Sequence, residues 1–189
     1  MIHDVISLKN VIKTFGGHAV LNNFSAEIPL CGVTVIRGAS GAGKTTLFRL
    51  LMGLEKPDSG EICGLQDKKP AVVFQEDRLL PWSTALENAA LGSDESRAKE
   101  ALVLLGLGDN LCQLPRELSG GMNRRVAIAR ALAFDGDILF LDEPFTGLDE
   151  ENKKIAADAM REANIPILVI THDDAEADLF GAYCEIRID

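Results

Sequence analysis

One stretch constrains this chain more than any other: Gly38, Ala39, Ser40, Gly41, Ala42, Gly43, Lys44, Thr45 and Thr46. It follows the run 33–36 (Val33, Thr34, Val35, Ile36), which is short, apolar and β-branched and so predicts a buried strand. Behind it, 47–52 has a helical pattern that stops at Gly53. Strand, glycine-rich loop and helix, with G-x-x-x-x-G-K-T in the loop, form a phosphate-binding P-loop. Glycines let the backbone curl until successive N–H groups face the phosphates, and the helix N-terminus adds positive potential. Lys44 is expected to bring a point charge to the same oxygens, and the Thr45 hydroxyl to bind Mg²⁺. A nucleoside triphosphate is therefore the expected ligand.

Composition narrows the setting. The 189 residues suit one domain, and 47% apolar content can fill a single core. The net charge of −10 argues against nucleic acid as the main partner, because duplex binding needs a basic footprint. No apolar run approaches the ~20 residues of a membrane span. With Asp4 early and no long apolar segment beside it, no signal peptide is expected. Cys31, Cys63, Cys112 and Cys184 form no C-x-x-C pair and read as reduced, mostly buried thiols of a cytosolic protein.

The remaining segments alternate strand and helix patterns. Residues 5–13 alternate apolar and polar side chains, which predicts a half-exposed strand, and Gly16–Gly17 predicts a turn into a partner strand ending near Pro29. Phe15, just ahead of that turn, has two readings: a ring stacked on a nucleotide base, or a core residue. A short strand is expected at 61–63 and a buried one at 71–74, which delivers Gln75 at its end. Thr84 or Ser83 would cap a helix running to Leu91, with Glu87 placed for a capping box. An amphipathic helix is expected over 96–105, so 76–118 reads as mainly helical. Ser119, Gly120 and Gly121 open a long helix; they read as a second phosphate cradle or as a plain N-cap with flexible glycines.

Further along, 137–141 is a buried strand ending in Asp142 and Glu143. A strand-end Asp is the usual Mg²⁺-side partner of a P-loop, and Glu143 stands where a base on the attacking water would be. A helix is expected over 150–164 and a buried strand over 167–170. That strand brings His172 to the rim where α/β sheets bind ligands. Residues 183–188 are expected to form an edge strand.

These pieces, in this order, resemble the ATP-binding subunit of an ABC transporter over nearly the whole chain. Residues 38–46 look like Walker A, Gln75 the Q-loop, 118–122 the signature, 138–142 Walker B and Glu143 the catalytic glutamate. Residues 147–149 are similar to the D-loop, His172 to the switch histidine, and Phe15 takes the place of the adenine-stacking aromatic. The resemblance implies an ABC ATPase fold: a P-loop core with a mostly parallel sheet (about 1–75 and 119–189), a small N-terminal antiparallel layer, and a helical subdomain at about 76–118.

It also implies ATP as the nucleotide and Mg²⁺ held by Thr45, Gln75 and Asp142. Lys44, Gln75, Glu143 and His172 would be the catalytic set. Two copies would close head to tail, so that ATP on one P-loop meets Ser119, Gly120 and Gly121 of the other. The implied partners are transmembrane permease subunits and, in the whole complex, a solute-binding protein; the implied place is the cytoplasmic face of the membrane. The texture of 73–82 with Glu87 and Asn88 resembles importers of nitrate, sulfonate, taurine and similar solutes. Two departures stand out: 54–74 and 83–117 are short for the family, and Arg124 stands where Gln is common. The alternatives are a soluble ABC-type ATPase of a non-transport process and a nucleotide-binding regulatory module without turnover.

Overall fold

The computed structural model describes residues 5–188; Asp4, on which part of the signal-peptide reading rests, lies outside the described residues. Among the described residues eight strands and six helices follow one another as β1 (Val5–Phe15), β2 (His18–Pro29), β3 (Val33–Gly38), α1 (Lys44–Leu51), β4 (Ser59–Cys63), β5 (Pro70–Val73), α2 (Ala85–Ala89), α3 (Glu95–Leu104), α4 (Gly120–Ala133), β6 (Ile138–Asp142), α5 (Glu150–Glu162), β7 (Ile167–Ile170), α6 (Asp174–Phe180) and β8 (Cys184–Ile188). Five strands form a parallel sheet in the order β5-β6-β7-β3-β8. The other three form an antiparallel sheet, β2-β1-β4.

Strand periodicity explains why the inner parallel strands β6 and β7 carry almost no polar residues, whereas edge strand β8 alternates Glu185 and Arg187 with apolar residues. Successive side chains point to opposite faces, and in β6 and β7 both faces are covered. In β6, Leu139 and Leu141 join one core with Val35, Val73, Val169 and helices α2 to α6, whereas Ile138 and Phe140 join a second. That second core holds Ile36, Leu168 and Ile170 against Leu47, Phe48 and Leu51 of α1 and Ile6, Leu8 and Val11 of β1. Phe48 meets Phe140 edge to face at 5.3 Å, and truncating either ring would cost about 3–5 kcal/mol.

The alternation in β1 changes phase midway. Ile6 and Leu8 are buried, and then Val11 and Lys13, because the register shifts between Leu8 and Val11 around Asn10 at φ 50°. Lys13 thereby becomes a buried cation. Its Nζ donates to the Lys56 carbonyl at 2.8 Å and lies 3.4 and 3.5 Å from Glu55 and Asp58, which pins the 55–58 loop to the sheet.

Between β5 and α4 the chain is less helical than its pattern suggests. Residues 76–84 are irregular, α2 stops at Ala89 rather than Leu91, and two short 3₁₀ turns follow α3. The capping box is present: Thr84 accepts from the Glu87 amide, and Glu87 accepts from the Thr84 amide at 2.7 Å. Buried Asn88 holds the irregular segment by donating to the Leu80, Ser83 and Thr84 carbonyls and accepting from the Leu80 amide. Such long-range side-chain bonds do the work that a helix repeat does elsewhere. Helix α5 ends at Glu162, two residues before Asn164, which turns left-handed at φ 52°. The cysteines are not mostly buried: three are partly exposed and Cys112 is exposed, because they sit on edge strands and turns.

Candidate functional site

The carboxyl ends of β3, β5, β6 and β7 meet over one cleft of about 340 Å³. It is lined by Val20, Ser40, Gly41, Gly43, Lys44, Thr45, Thr46, Gln75, Asp142, Glu143 and Ile170. That rim is where parallel α/β sheets bind ligands, because the strand ends and the following loops converge there.

The P-loop conformation needs its glycines at particular points. Gly43, the N-cap of α1, has φ 97°, and a Cβ on it would lie 2.9 Å from the Val20 carbonyl oxygen. Gly38 at φ 155° would place a Cβ 2.5 Å from the Ile188 carbonyl oxygen. Any side chain at either point would therefore meet backbone. No side chain caps α1, and its first intrahelical bond runs from the Leu47 amide to Gly43. The amides of Lys44, Thr45 and Thr46 thus have no partner within the helix, as at any helix start, and point toward the cleft end. Lys44 Nζ donates to the carbonyls of Gly38 and Ala39 at 2.7 and 2.9 Å, tying the loop into a ring.

Opposite the loop, Thr45 Oγ1 donates to Asp142 Oδ2 at 3.1 Å. Burial pushes the Asp142 carboxyl above its ordinary range, and the Thr45 hydrogen bond, Arg124 and Lys44 only partly offset this. A buried carboxylate beside a hydroxyl and the Gln75 amide is an oxygen-rich set suited to a hard cation. Among the described residues, no cluster of three or more His, Cys, Asp or Glu could hold a metal unaided. The donor set therefore fits Mg²⁺ bound jointly with phosphate oxygens, which is how that ion is usually held.

Glu143 follows β6 directly and has φ 49°, a left-handed conformation that costs a non-glycine residue about 1–2 kcal/mol. The turn is held by the Glu143 amide donating to the Ile170 carbonyl at 2.9 Å and by Thr146 Oγ1 donating to the Glu143 carbonyl at 3.1 Å. The twist aims the Glu143 carboxylate at His172, whose Nδ1 lies 3.0 and 3.1 Å from its two oxygens. The hydrogen bond to Glu143, with its negative charge, raises the His172 imidazole above its ordinary value.

The other predicted residues are distributed as follows. Ser119 is the N-cap of α4 and accepts from the Met122 amide at 3.2 Å. Gly121 packs where a Cβ would lie 3.0 Å from the Gly147 carbonyl. None of Ser119, Gly120 and Gly121 lines the cleft of their own chain. Phe15 is not in the core: at the tip of the β1–β2 hairpin it is 44% exposed, with Lys13 Nζ 5.1 Å from the ring centre. Sequence reasoning missed how Arg124 and Arg130 act. Both reach from α4 to the segment after β5, and Arg130 donates to the carbonyls of Asp77 and Arg78. The one signal was Arg124 standing where Gln is common.

Comparison with known proteins gives the family and the fold. The model of the ABC transporter family matches residues 21–146. The aliphatic sulfonates import ATP-binding protein SsuB 2 of Pseudomonas syringae pv. syringae is 40% identical over 187 residues, which covers 93% of this chain. The chain spans 66% of that relative's length. Among solved structures, the dimeric bacterial ABC transporter cassette MJ0796 superimposes with a TM-score of 0.85 at 30% identity, covering 97% of this chain and 94% of that one. The same cassette in a post-hydrolysis state with ADP and Pi gives the same score and coverage.

Proposed function

The chain belongs to the ABC transporter family, and from that premise we propose that it is the ATP-binding and ATP-hydrolysing subunit of a membrane transporter. The observation that carries this reading is the convergence of Lys44, Thr45, Gln75, Asp142 and Glu143 on one cleft, with His172 bonded to Glu143. The P-loop amides and Lys44 bind the phosphates of ATP. Thr45, Asp142 and Gln75 would hold Mg²⁺, which supplies charge neutralisation to the phosphate oxygens. Glu143 takes the proton of the attacking water, and His172 orients that carboxylate and faces the terminal phosphate. Phe15, exposed at the tip of the β1–β2 hairpin, is available to stack on adenine.

Two copies close head to tail, because the signature residues lie outside their own chain's cleft. Helices and turns of 76–118 act as a helical subdomain inserted between core segments 1–75 and 119–189, and with Gln75 they meet the permease. Among the described residues no helix is long and apolar enough to cross a membrane. Transmembrane permease subunits supply the path. The protein works at the cytoplasmic face of the membrane, and a solute-binding protein completes the assembly. The name of the sulfonate-import relative favours import of a small anionic solute such as a sulfonate.

The test is steady-state ATP hydrolysis by the purified chain and its Glu143→Gln variant. The substitution keeps size and removes the base, so turnover should fall about a hundredfold or more while ATP still binds. Equal turnover in the two proteins would refute the role given to Glu143, and a wild-type chain with no turnover would refute the ATPase reading.

A further inference from the structure

Arg124 is among the largest fully buried side chains in the molecule, at 2% exposure, and its guanidinium faces two different loops. On one side Nη1 donates to the carbonyls of Phe74 and Gln75 at 2.6 and 3.3 Å, and to Asp77 Oδ1 at 3.1 Å. On the other, Nε donates to the Pro144 carbonyl at 2.8 Å, and Nη2 to those of Asp142 and Glu143 at 3.1 and 2.7 Å. A guanidinium has five N–H donors in a rigid plane, and this one spreads them over five backbone carbonyls and one carboxylate, the two Nη1 hydrogens being shared among three acceptors. The two loops it joins carry Gln75 and Glu143, and the carbonyl it holds at 2.7 Å belongs to the residue in the left-handed turn. A second consequence follows from where Arg124 starts. It stands on the second turn of α4, the helix whose N-cap is Ser119 and whose first turn holds Gly120 and Gly121.

We propose that Arg124 is a positioning residue that locks the Gln75 loop and the Glu143 turn to each other and to the signature helix. The three then move as one body. The proposal rests on the ATPase reading above and deepens it: the residues that serve a chain's own nucleotide are fastened to those it offers its partner. Arg124 touches no reacting atom. Its contribution is the angle of the Glu143 turn and the place of Gln75, and errors of about 1 Å in such placement lower rates by as much as a hundredfold. Nucleotide affinity, which depends on the P-loop amides and Lys44, should be left nearly alone.

The test compares wild-type protein with Arg124→Lys and Arg124→Gln, full chain in each case. Three quantities are read: kcat and KM for ATP with Mg²⁺; affinity for ADP by calorimetry; and amide hydrogen exchange over 75–78 and 143–147. Trp82, the sole tryptophan and 75% exposed on the segment after Gln75, adds a fluorescence-anisotropy readout of that loop. Expected are a fall in kcat of about tenfold or more, KM and ADP affinity within about twofold, and faster exchange confined to the two loops. Trp82 anisotropy should drop. Arg124→Lys should recover only part of kcat, because an ammonium cannot fork between two loops.

Unchanged kcat in a folded Arg124→Gln protein would overturn the proposal. So would a fall in kcat matched by an equal loss of ADP affinity, which marks general damage. Failure of both variants to fold would make Arg124 a core residue only, and would overturn it too. A wild-type chain without turnover would refute the ATPase reading instead, and loop exchange and Trp82 anisotropy would still decide the role of Arg124.

Discussion

If the signature acts on the partner's nucleotide, two damaged chains should repair one another. Let one chain carry Lys44→Ala and the other Ser119→Arg, both with Glu143→Gln so that trapped ATP persists. Neither lesion should unfold its chain. Lys44→Ala removes two hydrogen bonds to its own loop, a loss of roughly 1–3 kcal/mol. Ser119→Arg removes an N-cap bond, about 1 kcal/mol, or a fall of roughly 2–4 °C in Tm for a chain of this size.

Each homodimer then has two damaged sites. A mixed dimer gathers both lesions into one site and leaves the other intact. With random pairing about half the dimers are mixed, so about a quarter of all sites should hold ATP through gel filtration. The assay is radiolabelled ATP retained by heterodimers purified through two different tags, where the expected occupancy is one per dimer. The geometry behind the expectation is that no signature residue lines the cleft of its own chain. Retention at the homodimer background in verified heterodimers would refute the head-to-tail site.

Other outcomes are more local. Lys44→Ala should abolish measurable ATP binding by calorimetry while its Tm drops by about 2–12 °C without loss of the fold, since the side chain reaches its own loop and not the core. Gly43→Ala should be the more destabilising change. It combines a left-handed φ with a Cβ 2.9 Å from a backbone oxygen, costing roughly 2–4 kcal/mol and lowering Tm by about 5–15 °C in a thermal melt. The His172 imidazole should titrate above 6.5 by NMR and fall back toward it in Glu143→Gln. The sign follows: the pair's contribution is fully present below 6.5 and is lost as pH rises through the raised value. With the His172 side chain 81% exposed, its effect on Tm should be small.

Local chemistry is what the sequence by itself determined. A strand, a curled glycine loop and a helix start are set by residues within about ten positions, so 38–46, Asp142 and Glu143 could be read where they stand. The same holds for the apolar strands 33–36, 138–141 and 167–170, whose lack of alternation announced a sheet covered on both faces. Tertiary structure decided whatever depends on partners far along the chain. Arg124 meets carbonyls 49 and 50 residues before it and 18 to 20 after it, and no period or spacing encodes that. The phase change at Asn10 buried Lys13, which alternation alone would not single out, and the hairpin carried Phe15 out of the core. Residues 76–84 took their shape from Asn88, Arg124 and Arg130, because with no repeat of their own they are ordered by the side chains that reach them.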